Sequence, residues 1–98
     1  MNNMTPEEAY TFVKRLGLKR HERSEQIIMT DPKYAYYYAY DFIKGRWPEA
    51  ESVIMTNHVY AYRYASNIIE ERWPEAESVI IENSFWWVQY KSRFDIDE

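Results

Sequence analysis

Cysteine is absent from this 98-residue sequence, and only two of its residues are glycine. Without cysteine there is no disulfide and no thiolate metal site, which favours a reducing compartment. No run approaches the roughly 18 apolar residues of a membrane span, and the N-terminal segment lacks the apolar core of a signal peptide. We therefore expect a soluble, cytoplasmic protein that makes no membrane contact.

Positive charge is scarce outside one segment. The formal net charge is −4. Residues 1–49 hold eight Lys and Arg against seven Asp and Glu, whereas residues 50–98 hold four against nine. An acidic chain is poorly suited to general nucleic-acid binding, because such binding needs an excess of positive charge to displace counterions. The basic residues concentrate in segment 14–23, for which a solvated face is the simplest interpretation.

Residue patterns that carry catalysis are missing as well. The two histidines, His21 and His58, lie in different sequence contexts, with no HExxH pattern. There is no glycine-rich phosphate loop and no Ser-His-Asp arrangement. We expect no enzymatic activity, no bound metal and no cofactor.

Aromatic residues and an internal repeat are what the sequence has in abundance. It contains ten Tyr, four Trp and four Phe. The nonamer RWPEAESVI occurs at 46–54 and again at 72–80, an offset of 26 residues, and this register extends without gaps on both sides. Self-similarity at a fixed period indicates a repeat architecture. We predict one domain over residues 1–98, with units at about 5–30, 31–56, 57–82 and 83–94.

When the repeat units are aligned at the 26-residue offset, equivalent positions form columns. One such column predicts where the long helices begin. Thr5, Asp31, Asn57 and Asn83 are spaced 26 residues apart, and all have short side-chain oxygens that cap helix N-termini. Residues at helical spacing predict one apolar face, made of Tyr34, Ala35, Tyr38, Ala39, Phe42 and Ile43. The equivalents in the next unit are Tyr60, Ala61, Tyr64, Ala65, Ile68 and Ile69. We therefore predict four long helices of about 12–14 residues each.

The WPEAESVI segments predict a short helix after each long one. Pro48 and Pro74 suit the first helical position, and the glutamates that follow suit the positive end of the helix dipole. Trp47 and Trp73, at the corners, are predicted to pack between repeats. A single helix pair cannot bury its own apolar face, so stacked pairs are needed. The predicted fold is all-α, a small α-solenoid of about seven helices.

These motifs resemble a short tandem helical repeat, YA-x-x-YA followed by RWPEAE, in uncharacterised bacteriophage and bacterial proteins. The resemblance covers roughly residues 20–94, with a weaker first unit. It implies a small α-solenoid and a phage or prophage origin. Small phage accessory proteins often bind and disable host proteins, including defence systems. The resemblance therefore implies a phage-encoded inhibitor or adaptor acting on a host protein in the host cytoplasm.

Columns that differ between units predict a binding surface. On the long helices they lie opposite the apolar side, and solenoids commonly bind partners through such an extended face. Exposed Tyr and Arg are frequent anchors of protein interfaces. The predicted partner-binding residues are Lys14, Arg15, Tyr37, Tyr40, Arg63 and Arg93. The alternative is that Tyr37 and Tyr40 only pack over neighbouring helices.

Trp86 and Trp87 form a second candidate patch. Trp87 falls in the column of Ala61, where an indole would clash inside the stack. It is predicted to cover the end of the solenoid. Alternatively, this aromatic end docks a host protein or a second copy, which would make the protein a homodimer through its C-terminal helix.

Nucleic-acid or nucleotide binding is the alternative function. Tyr37 and Tyr40 would stack on bases. The phosphates would contact a basic N-terminal patch formed by Lys14, Arg15, Lys19, Arg20 and Arg23. The net acidity of the chain counts against this hypothesis.

Overall fold

The computed structural model describes residues 4–17 and 20–97, and this part of the chain is all-helical, without strands. The four long helices begin at the predicted positions. They are α1 (Pro6–Leu16), α3 (Pro32–Tyr38), α5 (His58–Tyr64) and α7 (Ser84–Phe94), of which α3 and α5 are lengthened by the π-helical turns that continue them. The three short helices are α2 (Glu22–Ile28), α4 (Pro48–Ile54) and α6 (Pro74–Ile80). The predicted all-α fold of seven helices is confirmed.

The helices stack as pairs along one axis. Each long helix packs beside the next long helix, and each short helix packs between the long helix before it and the one after it. The resulting body measures 49 × 22 × 19 Å, so it is elongated. It is a small helical-repeat solenoid. Within the described ranges, no helix combines the length and the apolar character that crossing a membrane requires.

The predicted capping column is confirmed at all four long helices. The side chains of Asp31, Asn57 and Asn83 accept hydrogen bonds from backbone N–H groups in the first turn of the helices that they precede. Thr5 forms a reciprocal capping box with Glu8, in which each side chain accepts from the other's backbone N–H, at 3.1 and 2.9 Å. The helix starts are therefore set by local sequence.

The core combines small residues on the long helices with large residues at the corners. Ala35 and Ala61 are fully buried, which allows neighbouring helices to approach closely. Trp47 and Trp73 are 1% and 2% exposed, and their rings lie 5.1 Å from Tyr38 and 4.9 Å from Tyr64 between centroids. Both Trp residues are therefore buried, but these two ring contacts lie within one repeat unit. The printed links to the following unit are the backbone N–H groups of Trp47 and Trp73, which donate to the hydroxyls of Tyr64 and Tyr90.

One set of hydrogen bonds, which we call the Arg–Glu–Tyr clamp, occurs three times, once at the start of each short helix. In the second clamp, the Tyr64 hydroxyl donates to Glu51 at 2.8 Å and accepts from the backbone N–H of Trp47 at 2.6 Å. Arg46 donates two hydrogen bonds to the same carboxylate, at 2.8 and 3.0 Å. The first clamp comprises Arg20, Glu25, Tyr38 and the His21 N–H, and the third Arg72, Glu77, Tyr90 and the Trp73 N–H. Each clamp fastens a short helix to the following long one.

The clamps predict that stability falls in acid. Burial raises the pKa of Glu51, but the hydrogen bonds from Arg46 and Tyr64 outweigh it and hold the pKa below the usual 4.5. The pKa of Glu25 is lowered in the same way. A lowered carboxyl pKa adds stability that is present above pH 4.5 and is lost as the pH falls through the lowered value.

The tyrosines of the clamps predict a second loss of stability in alkali. Burial, together with a hydrogen bond to a glutamate, raises the pKa of Tyr38 and of Tyr90 from 10.0 to about 12. This contribution is complete below pH 10 and is lost as the pH rises towards about 12. Urea unfolding across the pH range should therefore show a plateau between about pH 5 and pH 10 with a fall on each side. A maximum confined to neutral pH would contradict the clamps.

The two central long helices end differently from the outer two. α3 and α5 each continue into a π-helical turn, Ala39–Ile43 and Ala65–Ile69. These turns end at Lys44 and Glu70, with φ of 61° and 64°. Over the described residues, α1 has no π-helical turn, and it ends at Gly17. Gly17 has the same left-handed conformation as Lys44 and Glu70, but glycine adopts it without steric cost.

Replacing Lys44 with glycine should stabilise the protein. A non-glycine residue at a left-handed helix C-terminus carries a steric cost, so Lys44→Gly should raise the free energy of unfolding by about 0.5–1 kcal/mol. Lys44→Ala is the matched control, because it removes the same side chain and keeps the strain. Urea unfolding measures both, and equal stability of the two variants would contradict the prediction.

Candidate partner-binding groove

A groove of about 600 Å³ crosses the first three long helices. We call it the tyrosine groove. Its lining residues come from α1, α3, α5 and the two π-helical turns, and they are Tyr10, Lys14, Tyr34, Tyr36, Tyr37, Tyr40, Asp41, Arg63 and Asn67. Four of the six predicted partner-binding residues are among them.

Tyr37 forms part of the packed wall of this groove. Its ring centroid lies between 5.6 and 6.2 Å from four other rings, those of Tyr10, Tyr34, Tyr36 and Tyr60. Tilted and edge-on ring pairs of this kind add stability beyond the area they bury. Tyr37 is half-buried, so it contributes both to helix packing and to the groove surface.

Tyr40 is the exposed aromatic residue of the groove. Its side chain is 54% exposed, and its ring stacks on Tyr36 with 6.0 Å between centroids and 26° between planes. Tyr36 itself is buried, although it lies outside the predicted apolar face of α3. It is covered because its ring contacts Tyr60 of the next long helix. Tyr40 therefore has a solvent-accessible ring that stacks on a buried tyrosine.

Hydrogen bonds between neighbouring long helices fix the width of the groove. The Tyr10 hydroxyl donates to the carboxylate of Asp41, and the Asn67 amide donates to the Tyr36 hydroxyl at 2.8 Å. Burial, and then the hydrogen bond to Asp41, raises the pKa of Tyr10 well above its ordinary value. The Tyr10 hydroxyl is therefore protonated at neutral pH and donates its hydrogen bond to the Asp41 carboxylate.

Three cations lie against tyrosine rings in or beside the groove. The Lys14 ammonium is 5.9 Å from the Tyr10 centroid, and the Arg63 guanidinium is 5.5 Å from that of Tyr60. The Lys33 ammonium lies 5.3 Å from the ring of Tyr34. Cations at such distances are attracted by the ring quadrupole. The groove is thus locally positive on a chain whose net charge is −4.

Arg15 and Arg93 were predicted at the same surface but do not line the groove. Arg15 is exposed in the last turn of α1. Arg93 donates to the Ser66 hydroxyl at 3.0 Å and to the Ser66 carbonyl at 2.9 Å, and its guanidinium lies 4.9 Å from the ring of Phe94. Arg93 therefore links α7 to the π-helical turn Ala65–Ile69 that follows α5.

One of the cations of the basic N-terminal patch is paired with a carboxylate of the chain. Arg20 is engaged by Glu25 in the first clamp, whereas Arg23 is exposed. Lys19 lies outside the described residues. The patch therefore offers fewer cations to phosphates than the sequence suggests.

The second candidate patch lies on α7, where both Trp side chains are half-buried. Trp86 is half-buried against Tyr62, with 5.3 Å between centroids, and Trp87 stacks on Tyr90 at 5.5 Å and 16°. The exposed apolar side chains there are those of Phe85 (60%), Val88 (55%) and Ile81 (53%). Both Trp residues therefore act mainly in packing.

Both histidines make contacts close to helix N-termini. His21 caps α2, where its Nδ1 accepts from the Ser24 N–H at 3.3 Å. The His58 Nε2 lies 3.2 Å from the Asn83 amide nitrogen. In the ranges that the structure describes, no three His, Cys, Asp or Glu residues group to hold a metal ion.

Comparisons with known proteins found no match. No family model fits the sequence, and no curated protein or solved structure matches the chain. The function is therefore inferred from the groove and from the repeat motifs.

Proposed function

We propose that the chain is a non-enzymatic protein-binding module whose tyrosine groove receives part of a partner protein. One observation carries the proposal. Lys14, Tyr37, Tyr40 and Arg63, which belong to successive long helices and their extensions, line the same groove. Tyr and Arg supply large contact area and hydrogen-bond donors, and they are enriched at the energetic centres of protein interfaces.

The rigidity of the groove also supports binding. Tyr37 packs against four rings, and the Tyr36 hydroxyl is held by Asn67. Side chains fixed before binding lose little conformational entropy when a partner docks, and this increases affinity. A volume of about 600 Å³ suits a few side chains of a partner segment.

The nature of the partner is proposed from the repeat motifs alone. The resemblance of YA-x-x-YA and RWPEAE to bacteriophage repeats favours a phage-encoded inhibitor or adaptor. Its partner would be a host protein, such as a defence protein, in the host cytoplasm.

Nucleic-acid binding is the less favoured function. Tyr37 has several ring neighbours and Arg20 is held by Glu25, so Tyr40 and the remaining cations would carry most of the binding. Stacking of successive bases needs several accessible rings in a row, together with dominant positive charge.

The test removes the accessible part of the groove and leaves its packed wall intact. Truncating Tyr37 would also remove four ring contacts, so the better variant is Tyr40→Ala combined with Lys14→Ala. The immobilised protein captures a partner from a bacterial lysate, and the purified partner is titrated calorimetrically. We expect the double variant to bind at least about tenfold more weakly, with an unchanged helical spectrum.

The matched control is Phe85→Ala combined with Val88→Ala, which removes exposed apolar side chains on α7. This control should bind like the unaltered protein. If it loses binding while the groove variant retains it, the partner-binding surface is the patch around Trp86 and Trp87, and the proposal for the groove is wrong.

A further inference from the structure

We infer that the tyrosine groove recognises an acidic, extended peptide segment. This inference rests on the proposed function and adds the chemical class of the ligand. Three observations support it: the charges of the groove, the absence among the described residues of acidic partners for Lys14 and Arg63, and the course of the groove across three helices.

The charges that line the groove are unbalanced. Lys14 and Arg63 are cationic, and the Lys33 ammonium lies over the ring of Tyr34, another lining residue. The one lining carboxylate, Asp41, accepts the Tyr10 hydroxyl. A positive recess on an acidic chain attracts anionic groups and repels cationic ones, which provides both steering and specificity.

The cations of the groove differ from those of the clamps. Arg20, Arg46 and Arg72 each donate to a glutamate within the chain. Among the described residues, Lys14 and Arg63 have no such carboxylate and lie instead over tyrosine rings. The planar guanidinium of an arginine matches a carboxylate in a two-bond geometry, so Arg63 is suited to an Asp or Glu side chain.

The course of the groove favours an extended ligand. Lys14 belongs to α1 and Arg63 to α5, and α3 lies between these two helices. Neighbouring helix axes are about 8–10 Å apart, so two steps cover about 16–20 Å. An extended chain rises about 3.3 Å per residue, so about five or six residues span this distance. Acidic residues near both ends would meet the two cations, and the residues between them would lie on Tyr40.

The probe is a displayed library of random peptides selected on the immobilised protein. Selected sequences should be enriched in Asp and Glu. Synthetic versions in which these are replaced by Asn and Gln should bind at least about tenfold more weakly. Raising the salt concentration from about 50 to 500 mM should lower the affinity of the acidic peptides more than that of their Asn and Gln versions.

Charge reversal places the interaction. Lys14→Glu combined with Arg63→Glu should lower the affinity of the protein for the acidic peptides by more than about tenfold. The control, Arg15→Glu with Arg23→Glu, makes the same change in net charge outside the groove lining and should retain binding. If charge reversal unfolds the protein, Lys14→Gln with Arg63→Gln tests the same contacts with less perturbation.

The remaining outcomes separate this inference from the proposed function. Peptides without acidic residues that still require Tyr40 would overturn the acidic ligand and leave a protein-binding groove. Peptides that bind equally well after Tyr40→Ala and after reversal of the charges of Lys14 and Arg63 would overturn the groove itself. An oligothymidylate that displaces the acidic peptides more strongly than they displace one another would identify the ligand as nucleic acid. Failure to enrich any peptide would overturn an extended segment as the ligand.

Discussion

Replacing Trp47 with alanine is expected to lower the free energy of unfolding by about 3–5 kcal/mol. The side chain is 1% exposed, and its ring packs on Tyr38. Removing it loses the transfer free energy of a large apolar group and leaves a cavity between a corner and the adjacent long helix. Trp73→Ala should cost a similar amount, because Trp73 occupies the same position in the next repeat.

Urea unfolding followed by circular dichroism measures this loss. Trp86→Ala is the matched control, since Trp86 is half-buried and should cost clearly less. For a domain of this size, the expected loss lowers the melting temperature by more than about 10 °C. If Trp47→Ala cost no more than Trp86→Ala, the corner residues would not hold the repeats together.

Tyr64→Phe is expected to lower the free energy of unfolding by about 2 kcal/mol, although it removes a single oxygen atom. The hydroxyl donates to Glu51 and accepts from the backbone N–H of Trp47. Without it, a buried N–H is left unpaired, and the carboxylate loses a hydrogen bond that lowers its pKa. An unsatisfied buried donor typically costs about 1–3 kcal/mol.

The other clamps provide internal replicates. Tyr38→Phe and Tyr90→Phe should give losses similar to that of Tyr64→Phe, because both hydroxyls make the equivalent bonds. Tyr40→Phe, at an exposed ring, should change stability by less than about 0.5 kcal/mol. Losses no larger than that of Tyr40→Phe would show that the clamps do not contribute to the stack.

The helix starts could be predicted from sequence because their signals are local. Asp31 and Asn57 cap helices whose first residues follow directly, so no knowledge of the tertiary structure is needed. The clamps could not be predicted in full. The Trp47 N–H and the Tyr64 hydroxyl that it meets lie 17 residues apart, and only the packed stack brings them together. Sequence reasoning had assigned Tyr64 to an apolar face and missed its hydroxyl.

Only four of the six predicted partner-binding residues line the groove, for a related reason. Sequence reasoning assumed that the same column of each unit forms one continuous surface. In the stack, contacts run diagonally, so that Tyr10 meets Asp41 and Tyr36 meets Asn67, each 31 residues further along. The π-helical turns, which had no signal in the sequence, carry Asp41 and Asn67.

The proposed groove is tested most directly by nuclear magnetic resonance on the isotope-labelled protein, titrated with an acidic peptide from the library. We predict that the largest shift changes fall on the amides of Lys14, Tyr37, Tyr40 and Arg63, with the Trp86 and Trp87 indole signals unmoved. Changes concentrated on those two indoles, with the groove amides unmoved, would contradict the account.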